Sequence, residues 1–331
     1  MNKRSYPNKA MPKVSISIVH HQGLKMLRDC LHSIYNETRS LDFEVIVVDN
    51  VSDDGAVQMI TSEFPQVRLV RNTERHGFGH NQNTGIKQAQ GEYIFIYNDD
   101  TLMHGDALAT LCAVLDNNPD VGLVGPKLVN SDGSLQMSCY KFPSPFRCIC
   151  ENLLLSAAFP DSTIFGDYRN WKHDRARQVD FVIGAAMLVR KTVVEQVGLF
   201  DELFFMYSEE TDWQMRIKNA GWKIMFCPDA VITHLGGQSS EDAKDRQFSE
   251  FQTSSAKLIR KHYGAIGAAV QRSAMVSGAV LRLVLWSVIG VLVPSKREAA
   301  LKQQHTWKRL LIWWLGLGPH EGLAPRRASS A

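Results

Sequence analysis

The stretch YIFIYNDDTLMHG, residues 93–105, joins a core strand to a cluster of polar side chains. Residues 93–97 are all aromatic or β-branched, which is the composition of a buried strand. Asn98, Asp99 and Asp100 follow without a break. Asn and Asp also terminate strands and start turns that bind nothing. The surrounding sequence has to distinguish a plain turn from a binding site.

The first hundred residues alternate between two hydrophobic periodicities. Short runs rich in apolar residues predict strands at residues 14–19, 43–50, 67–72 and 92–97. Amphipathic segments separate them, such as residues 24–35, where Leu27 and Leu31 share one helical stripe. This alternation predicts an α/β fold with a doubly wound sheet. Ligands of such sheets bind beyond the carboxyl ends of the strands, where Asp49 and residues 98–100 would both lie.

The rest of the chain has a less regular pattern. Helices are predicted at residues 107–115 and 209–221, and strands at residues 121–129, 179–190, 222–228 and 230–237. Residues 140–178 contain few periodic runs. We interpret them as an irregular excursion that faces the substrate.

Positive charge is concentrated in the C-terminal tail. Nine Lys and Arg residues but only two acids lie beyond residue 264, so the tail carries +7 and, given the total of +3, the first 264 residues carry −4. The body lacks the basic surplus of nucleic-acid-binding proteins, and no nucleic acid is expected as a partner. The six cysteines have no zinc-binding spacing, and no signal-peptide-like apolar stretch follows the basic N-terminus, which indicates reduced thiols in the cytoplasm.

Three segments carry side chains suited to catalysis or metal binding. Asn98 and Asp100 lie two residues apart beyond a strand end, which suits a hard divalent cation with bound phosphates. Glu209 and Glu210 begin a helix after an apolar run, where burial would raise a glutamate pKa towards the range of a general base. Helix-capping charges are the alternative. His234 follows a strand and is either a metal ligand or a satisfied core histidine.

Two further segments suit nucleotide binding. VVDNVSDDG, residues 47–55, places Asp49 after a buried strand, where its carboxylate can accept hydrogen bonds from a base or a ribose. HGFGHNQN, residues 76–83, combines glycines that allow close backbone approach with the amides of Asn81 and Asn83. The sequence contains neither the Gly-x-Gly-x-x-Gly dinucleotide fingerprint nor a Walker phosphate loop. A nicotinamide- or ATP-dependent enzyme is therefore disfavoured.

In this order, the motifs resemble those of the inverting glycosyltransferases of family 2, over about residues 14–240. Within that family, the chain is most similar to rhamnosyltransferases that assemble O-antigen and related cell-surface polysaccharides. The closer similarity lies in residues 76–83, in VDFVIGAAMLVR at 179–190 and in GLFDELFFMYSEETDWQMRIKNAG at 198–221. The resemblance implies a GT-A fold, which is a nucleotide-diphospho-sugar-binding α/β architecture with a mixed sheet, followed by C-terminal membrane-associating helices.

The resemblance also implies roles for individual residues. Glu210 matches the general base, and Glu209 would support it. Asp100 and His234 match the ligands of a site for Mg²⁺ or Mn²⁺. The expected contacts to the donor nucleotide come from His20, Asp49, Asn50, Arg71, Asn83, Asn98 and Asp99. Support for the catalytic helix and the acceptor is expected from Asp212, Trp213 and Arg216.

Three positions depart from the family pattern. Asn98 replaces a more usual Asp, so we expect it to contact the ribose or a metal-bound water. Glu210 also replaces Asp and reaches one methylene further. His20 and His21 stand where residues like Thr-Tyr-Asn are frequent, which leaves their contribution to base binding open.

The implied reaction moves a sugar from a nucleotide-diphospho-sugar, with dTDP-L-rhamnose as the best candidate, to a glycan or a polyprenyl-diphosphate-linked sugar. Transfer from another UDP- or dTDP-sugar and a catalytically inactive glycan-binding adaptor are the alternatives. A sugar nucleotidyltransferase would carry a Gly-rich N-terminal loop with Arg and Lys, and a processive synthase would carry a Gln-x-x-Arg-Trp motif. The sequence contains neither.

Residues 273–293 form a candidate helix long enough to cross a bilayer, but Arg282 lies at its middle. Basic residues flank it on both sides, which favours a monotopic or re-entrant helix on the inner face of the cell membrane. Trp313 and Trp314 add an interfacial composition beyond it. A core helix or a homodimer interface is the alternative.

These patterns divide the chain into three parts. Residues 1–13 are expected to be a flexible N-terminus, residues 14–240 a glycosyltransferase domain and residues 241–331 a basic, amphipathic tail that associates with the membrane. Within the domain, residues 14–130 would bind the nucleotide sugar, and residues 131–240 would supply the base and contact the acceptor.

Overall fold

The structure is a computed structural model that describes residues 11–162, 164–166, 168, 171–236 and 241–317. The strands are β1 (Val14–His20), β2 (Phe43–Asp49), β3 (Arg68–Arg71), β4 (Tyr93–Asn98), β5 (Thr101–His104), β6 (Val121–Val129), β7 (Leu135–Gln136), β8 (Cys139–Tyr140), β9 (Arg177–Val179), β10 (Phe181–Val182), β11 (Ala186–Arg190) and β12 (Lys223–His234). The helices are α1 (Leu24–Glu37), α2 (Ala56–Glu63), α3 (Phe78–Gln88), α4 (Ala107–Asn117), α5 (Pro145–Asn152), α6 (Leu155–Ala158), α7 (Lys191–Val197), α8 (Glu209–Asn219), α9 (Glu241–Leu292) and α10 (Arg297–Leu315).

Ten strands form one mixed sheet. Eight of them follow the order β3-β2-β1-β4-β11-β6-β12-β5, while β7 pairs with β6 and β9 with β12. Strands β1 to β4 run parallel, as the alternation of strands and helices in this part of the sequence predicts. Strand β11 is antiparallel to both of its neighbours, β4 and β6. The mixed sheet implied by the family resemblance is therefore confirmed, and the doubly wound arrangement is limited to the part of the sheet formed by β1 to β4.

The helical stripe predicted on α1 packs against the sheet. Leu27, Leu31 and Ile34 are fully buried and belong to the same core as Ile16 and Ile18 of β1. Burying a side chain of this size contributes about 1.5–3 kcal/mol. This packing fixes β1 and β2 in position, and with them the polar residues at their ends.

Two strand predictions have the wrong boundaries. Residues 179–190 contain the end of β9 and the separate strands β10 and β11, and not one strand, because Asp180 and residues 183–185 leave the strand pairing. The described residues 222–236 contain one strand, β12, and not two, because the pairing with β6 resumes after an irregularity between Cys227 and Val231. The bulge contains Pro228, which cannot donate to a strand ladder.

The prediction that residues 140–178 are irregular is also wrong in part. Helix α5 begins there at Pro145, after Ser144, whose side chain accepts a hydrogen bond from Arg147 N at 3.2 Å. Serine at the N-cap and proline at the first helical position are standard start signals. They predict this helix, although the segment lacks a long apolar period.

The chain divides into two compact units. The first contains the described parts of residues 1–139, 173–202 and 209–237, and it includes every residue of the predicted site. The second contains the described parts of residues 140–172, 203–208 and 238–331. The domain boundaries expected from the sequence remain predictions.

The second unit is mainly helical. Helix α9 is interrupted at Gly264, which has a φ of 67°. A short 3₁₀ turn at Pro294–Lys296 follows it, and α10 then packs back along α9. Ala279, Leu310 and Trp314 form the buried centre of this contact. The helices predicted at 273–293 and beyond Pro294 are therefore present in the structure.

Candidate active site

Four predicted site residues lie at one edge of the sheet. In the strand register, His20 of β1 pairs with Asp49 of β2, and Asp49 pairs with Arg71 of β3. Val19, next to His20, pairs with Asn98 of β4. Because these strands are parallel, their carboxyl ends meet along one line. Arg71, Asp49, His20 and Asn98 therefore follow one another at the edge where ligands of such sheets bind.

Asp100 and His234 come together beyond the strand ends. Only Asp99 and Asp100 separate β4 from β5, and β5 pairs with the end of β12, where Thr101 lies opposite His234. Leu235 N also donates to Asp100 O at 2.9 Å. Asp100 Oδ1 lies 3.3 Å from His234 Nε2 as a result. The pairing of β5 with β12 thus joins two residues far apart in the chain.

Hydrogen bonds around His234 indicate which ring nitrogen carries the proton. Gln136 Nε2 donates to His234 O at 3.2 Å and to Asn130 Oδ1 at 2.9 Å, so Gln136 Oε1 faces His234 Nδ1 at 2.7 Å. Nδ1 is then the donor, which leaves a lone pair on Nε2. That lone pair faces Asp100 Oδ1, a buried oxygen without a hydrogen-bond partner among the described residues. Two such atoms are stabilised by a cation between them.

Asp100 and His234 suit a divalent cation that is shared with a substrate. The described residues contain no cluster of three or more His, Cys, Asp or Glu side chains that could hold a metal alone. Mg²⁺, however, is usually bound by one or two protein ligands together with waters and substrate phosphates. The bond from Nδ1 to Gln136 also orients the ring in the way typical of metal-binding histidines. The residues therefore fit the cation that the family resemblance implies.

His20 lies beside this pair and is fully buried. Its Nδ1 is 2.7 Å from Asp99 Oδ2, and its Nε2 is 3.3 Å from Asp54 Oδ2. Burial by itself would lower the pKa of His20, but the hydrogen bond and charge of Asp99, together with Asp54, outweigh it and raise the pKa. Both ring nitrogens are engaged by carboxylates. His20 therefore holds Asp99 in position, and its predicted contact with the nucleotide remains a prediction.

Asp54 is a site residue that the sequence analysis did not select. It accepts hydrogen bonds from the main-chain N–H groups of Gly23, Leu24 and Ala56, at 2.7–3.1 Å. Burial by itself would raise the pKa of Asp54, but these bonds and the charge of His20 hold it below its usual value. The only sequence signal is an Asp-Gly pair before α2, and such pairs are common in turns.

Asp49 and Asn50 have different surroundings. Asp49 is buried, its Oδ1 accepts a hydrogen bond from Ser52 N at 3.1 Å, and its Oδ2 lies 3.8 Å from Arg71 Nε. The Arg71 side chain is 65% exposed, so it can reach a ligand beyond the edge. Asn50 donates to His76 O at 3.0 Å and accepts from His76 N at 2.9 Å. Asn50 therefore shapes the loop after β3.

Asn83 has its hydrogen-bond partners within the protein. Its Oδ1 accepts a hydrogen bond from Phe200 N at 2.9 Å, and its Nδ2 donates to Phe200 O at 3.0 Å and to Glu202 Oε1 at 3.1 Å. The side chain is also buried. Both hydrogens of Nδ2 are therefore used within the protein, and the predicted contact of Asn83 with the donor nucleotide remains a prediction. Asn83 instead connects α3 to the segment around Phe200.

Glu209 and Glu210 begin α8, as predicted, and Glu210 lies close to the end of β4. A Cβ atom built on Gly184 would be 3.6 Å from both Cβ and Cγ of Glu210. The next residue, Ala185, accepts a hydrogen bond from Asn98 N at 2.9 Å through its carbonyl oxygen. Of two adjacent residues of one loop, Gly184 therefore lies next to Glu210 and Ala185 bonds Asn98. This chain of contacts brings the start of α8 to the edge that carries Asp100.

The environment of Glu210 suits a general base. The side chain is half-buried, which leaves part of it accessible to a substrate. Burial raises the pKa of Glu210, although hydrogen bonds from the main chain and from Thr211 act against it. Gln214, one turn further along α8, bonds both main-chain groups of Val182, at 2.9 and 2.7 Å. These bonds fix α8 relative to the loop that Glu210 contacts.

Asp212, Trp213 and Arg216 anchor α8 to the turn after α7. Trp213 is fully buried, and its Nε1 donates to Gly198 O at 2.8 Å. Arg216 donates to two other carbonyl oxygens of that turn, both at 2.7 Å, and to Asp212 Oδ2 at 3.0 Å. The three side chains therefore hold α8 in place, and their contact with an acceptor remains a prediction.

The fold and the arrangement of these residues agree with a known family. Residues 12–253 match the family described as Glycosyltransferase like family 2. The chain belongs to this family. It is a glycosyltransferase, and the matched residues include the whole site described above.

Curated relatives of this glycosyltransferase include a rhamnosyltransferase. The N-acetylglucosaminyl-diphospho-decaprenol L-rhamnosyltransferase of Mycobacterium tuberculosis is 28% identical over 233 residues, which cover 66% of this chain and 76% of the relative. The O-antigen biosynthesis protein RfbC of Myxococcus xanthus is 28% identical over 240 residues, which cover 69% of this chain and 18% of that protein. The similarity to rhamnosyltransferases and O-antigen assembly proteins predicted from the sequence is confirmed.

Solved structures share the fold at low sequence identity. A mannosyltransferase from Pyrobaculum calidifontis, in complex with GDP-Man and Mn²⁺, has a TM-score of 0.58 and 20% identity, over 93% of this chain and 86% of that chain. GalNAc-T7 with UDP, GalNAc and Mn²⁺ has a TM-score of 0.52 and 16% identity, over 68% of this chain and 43% of that chain. Both are glycosyltransferases of the GT-A type, which confirms the predicted fold class.

Proposed function

We propose that this glycosyltransferase moves a sugar, with L-rhamnose from dTDP-L-rhamnose as the best candidate, to a sugar carried on polyprenyl diphosphate in cell-surface polysaccharide assembly. Similarity to the mycobacterial rhamnosyltransferase supports the choice of donor sugar and acceptor class. One observation supports the reaction type. Asp100 and His234 meet at the carboxyl-end edge of the sheet, and Glu210 lies one loop away from that edge.

The proposed donor position follows the order of residues along the edge. Asp49 would accept hydrogen bonds from the base or the ribose, and Arg71 would pair with a phosphate or the base edge. The diphosphate would then lie near Asp100 and His234. A divalent cation bound by this pair would act as a Lewis acid that neutralises charge on the leaving diphosphate. Asp99, held by His20, would support the turn that carries Asp100.

The proposed transfer inverts the anomeric configuration. Glu210 takes the proton of an acceptor hydroxyl while that oxygen forms a bond to the anomeric carbon. On the opposite face, the bond from that carbon to the diphosphate oxygen breaks, and the nucleoside diphosphate leaves with the electron pair. A positioned general base typically contributes ~10²–10⁴-fold to the rate. Burial raises the pKa of Glu210, which makes its carboxylate a stronger base.

A product assay with the full-length protein tests this function. A panel of dTDP-, UDP- and GDP-sugars is incubated with a polyprenyl-diphosphate-linked N-acetylglucosamine, with Mg²⁺ or Mn²⁺ or with EDTA. We expect a product that is one rhamnose heavier, inversion at the new linkage and release of dTDP only when a metal is present. Faster transfer from a UDP- or GDP-sugar would replace the donor assignment. Pyrophosphate release would identify a nucleotidyltransferase, and no turnover with any pair would indicate an inactive adaptor.

We also propose that the second unit binds the cytoplasmic surface of the membrane. Among the described residues, Asp245–Leu292 is the one helix long and apolar enough to cross a bilayer, and only 11% of its most apolar window is buried. Val291 and Leu292, at its end, are 79% and 73% exposed. Basic residues flank the apolar stretch 273–293 on both sides: Lys257, Arg260, Lys261 and Arg272 before it, and Lys296, Arg297, Lys302, Lys308 and Arg309 after it. Apolar surface beside basic residues is typical of interfacial helices.

Arg282 supports a helix that lies on the membrane over one that spans it. Its guanidinium donates to Glu151 O at 2.7 Å and to Asn152 O at 2.9 Å, and it lies 4.6 Å from the centre of the Trp307 ring. These contacts belong to α5, α9 and α10, so one side of α9 is covered by protein. The positive charge has its partners there, and a surface-bound α9 would place only its exposed apolar side in lipid.

Charged residues at the end of α9 should weaken membrane binding. Replacing Val291 and Leu292 together with Asp is expected to lower the vesicle-bound fraction several-fold, because two carboxylates would have to leave water. Met11→Asp, at a position that is 77% exposed in the first unit, is the control and should bind like the wild type. Sedimentation with vesicles that contain anionic lipid measures the effect. Equal binding of all three proteins would exclude this membrane surface.

A further inference from the structure

The loop that leads into the catalytic helix has an unusual backbone. Residues 203–208, here called the lead loop, come directly before Glu209 and Glu210. Tyr207 and Ser208, its last two residues, both have a φ of 68°. Residues with a side chain rarely occupy this left-handed region, and two in succession persist only when other contacts hold them. The lead loop therefore needs external support.

Helix α9 supplies that support within the same unit. Ser254 Oγ donates to Met206 O at 2.8 Å, and Lys257 Nζ donates to Leu203 O at 3.0 Å. Both bonds end on main-chain oxygens, so they fix the backbone of the loop whatever its side chains are.

Aromatic contacts reinforce the two hydrogen bonds. The Tyr207 ring packs edge-on against Phe251, with 5.7 Å between the ring centres. Lys261 Nζ lies 5.8 Å from the centre of the Phe204 ring. The lead loop is thus contacted by α9 along three helical turns, from Phe251 to Lys261.

Ser254 makes an unusual hydrogen bond for a serine within a helix. Such hydroxyls commonly bond a carbonyl oxygen one turn earlier in their own helix. The neighbouring Thr253 does this, since its Oγ1 donates to Ser249 O at 2.8 Å. Ser254 is fully buried, and its hydroxyl instead donates to Met206 O, outside the helix. Its proton is therefore directed at the lead loop.

From these contacts we propose that Ser254, assisted by Lys257, is a positioning residue for sugar transfer, because it fixes the lead loop from which Glu210 begins α8. This inference rests on the proposed role of Glu210 as the base. A change of the Tyr207 or Ser208 backbone would turn the first residues of α8 and move the carboxylate. Displacement of a catalytic group by about 1 Å can cost on the order of 10²-fold in rate.

Three variants of the full-length protein test the proposal. Ser254→Ala should lower kcat roughly tenfold, which is the effect of losing about one hydrogen bond, and leave the donor KM within about twofold. Lys257→Met keeps the aliphatic stem and should lower kcat by a smaller factor in the same way. Thr253→Ala removes a hydroxyl from the adjacent position without touching the lead loop, and it should match the wild type. The thermal midpoint of each variant is recorded alongside.

The split between kcat and KM separates positioning from simple loss of stability. Equal kcat values for Ser254→Ala, Lys257→Met and the wild type would overturn the proposal, as would an equal loss in Thr253→Ala. If Ser254→Ala does not fold, Lys257→Met alone decides, because its site is only half-buried. If Glu210→Gln keeps full turnover, the proposed base is wrong and this inference loses its basis. If Glu210→Gln is inactive but Ser254→Ala is normal, only the positioning role is wrong.

Discussion

Glu210→Gln is expected to lower kcat by about 10²–10⁴-fold and to leave donor binding intact. Glutamine has nearly the same shape as glutamate but cannot take the proton of the acceptor hydroxyl. The Glu210 atoms nearest to Gly184 are Cβ and Cγ, which the substitution retains. Other residues form the sheet edge that is proposed to bind the donor, so the affinity for the nucleoside diphosphate should not change. Steady-state kinetics at saturating donor and acceptor, with calorimetric titration of dTDP, measure the two effects.

Glu210→Asp is the matched control for this experiment. It keeps a carboxylate but shortens the side chain by one methylene, so it should retain more activity than Glu210→Gln. Turnover of Glu210→Gln close to that of the wild type would remove Glu210 from the mechanism. A loss of dTDP affinity in the same variant would instead place Glu210 in donor binding.

The raised pKa of Glu210 gives this prediction a pH dependence. The base works as a carboxylate, so protonation abolishes its function. Because burial raises its pKa, kcat should begin to fall at a higher pH than an ordinary glutamate would allow, as the pH decreases through the raised value. The acid limb of the kcat profile reports this group in the complex with substrate, and it should be absent from the residual activity of Glu210→Gln.

The raised pKa of Glu210 also affects the free energy of unfolding. The folded protein binds the Glu210 proton more tightly than the unfolded chain does, so Glu210 reduces the free energy of unfolding as the pH rises above its unfolded pKa. Removing its charge should therefore leave Glu210→Gln at least as stable as the wild type near neutral pH. Loss of activity in this variant can then be distinguished from loss of structure.

The sequence predicts the position of a residue well when that position follows from the hydrophobic pattern of neighbouring residues. Short runs rich in apolar residues identified β1 to β4, and a parallel arrangement places the residues after such strands at one edge. Asp49 and Asn98 lie there as predicted, next to His20 and Arg71. The start of α8 at Glu209 was also predictable, because acids at a helix N-terminus follow a turn-forming segment.

Contacts between distant segments were not predictable in the same way. Nothing near Asp54 or Gln136 indicates that one bonds His20 and the other orients His234. Asn83 has the side chain of a ligand-binding residue, but its partners at Phe200 and Glu202 lie more than a hundred residues away. Such hydrogen bonds depend on which elements pack together, and hydrophobic periodicity gives the type of an element without its neighbours.

Asp100→Ala is expected to abolish metal-dependent donor binding. The proposed site has only two protein ligands, Asp100 and His234, and Asp100 carries the only negative charge of the two. Losing a charge-assisted contact of this kind costs about 2–3 kcal/mol, or on the order of 10² in affinity. With wild-type protein, dTDP should bind much more tightly with Mn²⁺ than with EDTA. With Asp100→Ala, titration should give the same weak affinity in both conditions.

Asp53→Ala is the charge-matched control, because Asp53 is an exposed carboxylate on the loop after β2 and bonds only Gln22 among the described residues. It should retain the response to Mn²⁺, which would show that the loss in Asp100→Ala comes from the ligand and not from overall charge. Metal-dependent affinity in Asp100→Ala equal to that of the wild type would exclude Asp100 as a ligand. If the wild type binds dTDP equally well with Mn²⁺ and with EDTA, Asp100 and His234 share a proton across their 3.3 Å separation and bind no metal. The charge on the diphosphate would then be neutralised by cationic side chains such as Arg71.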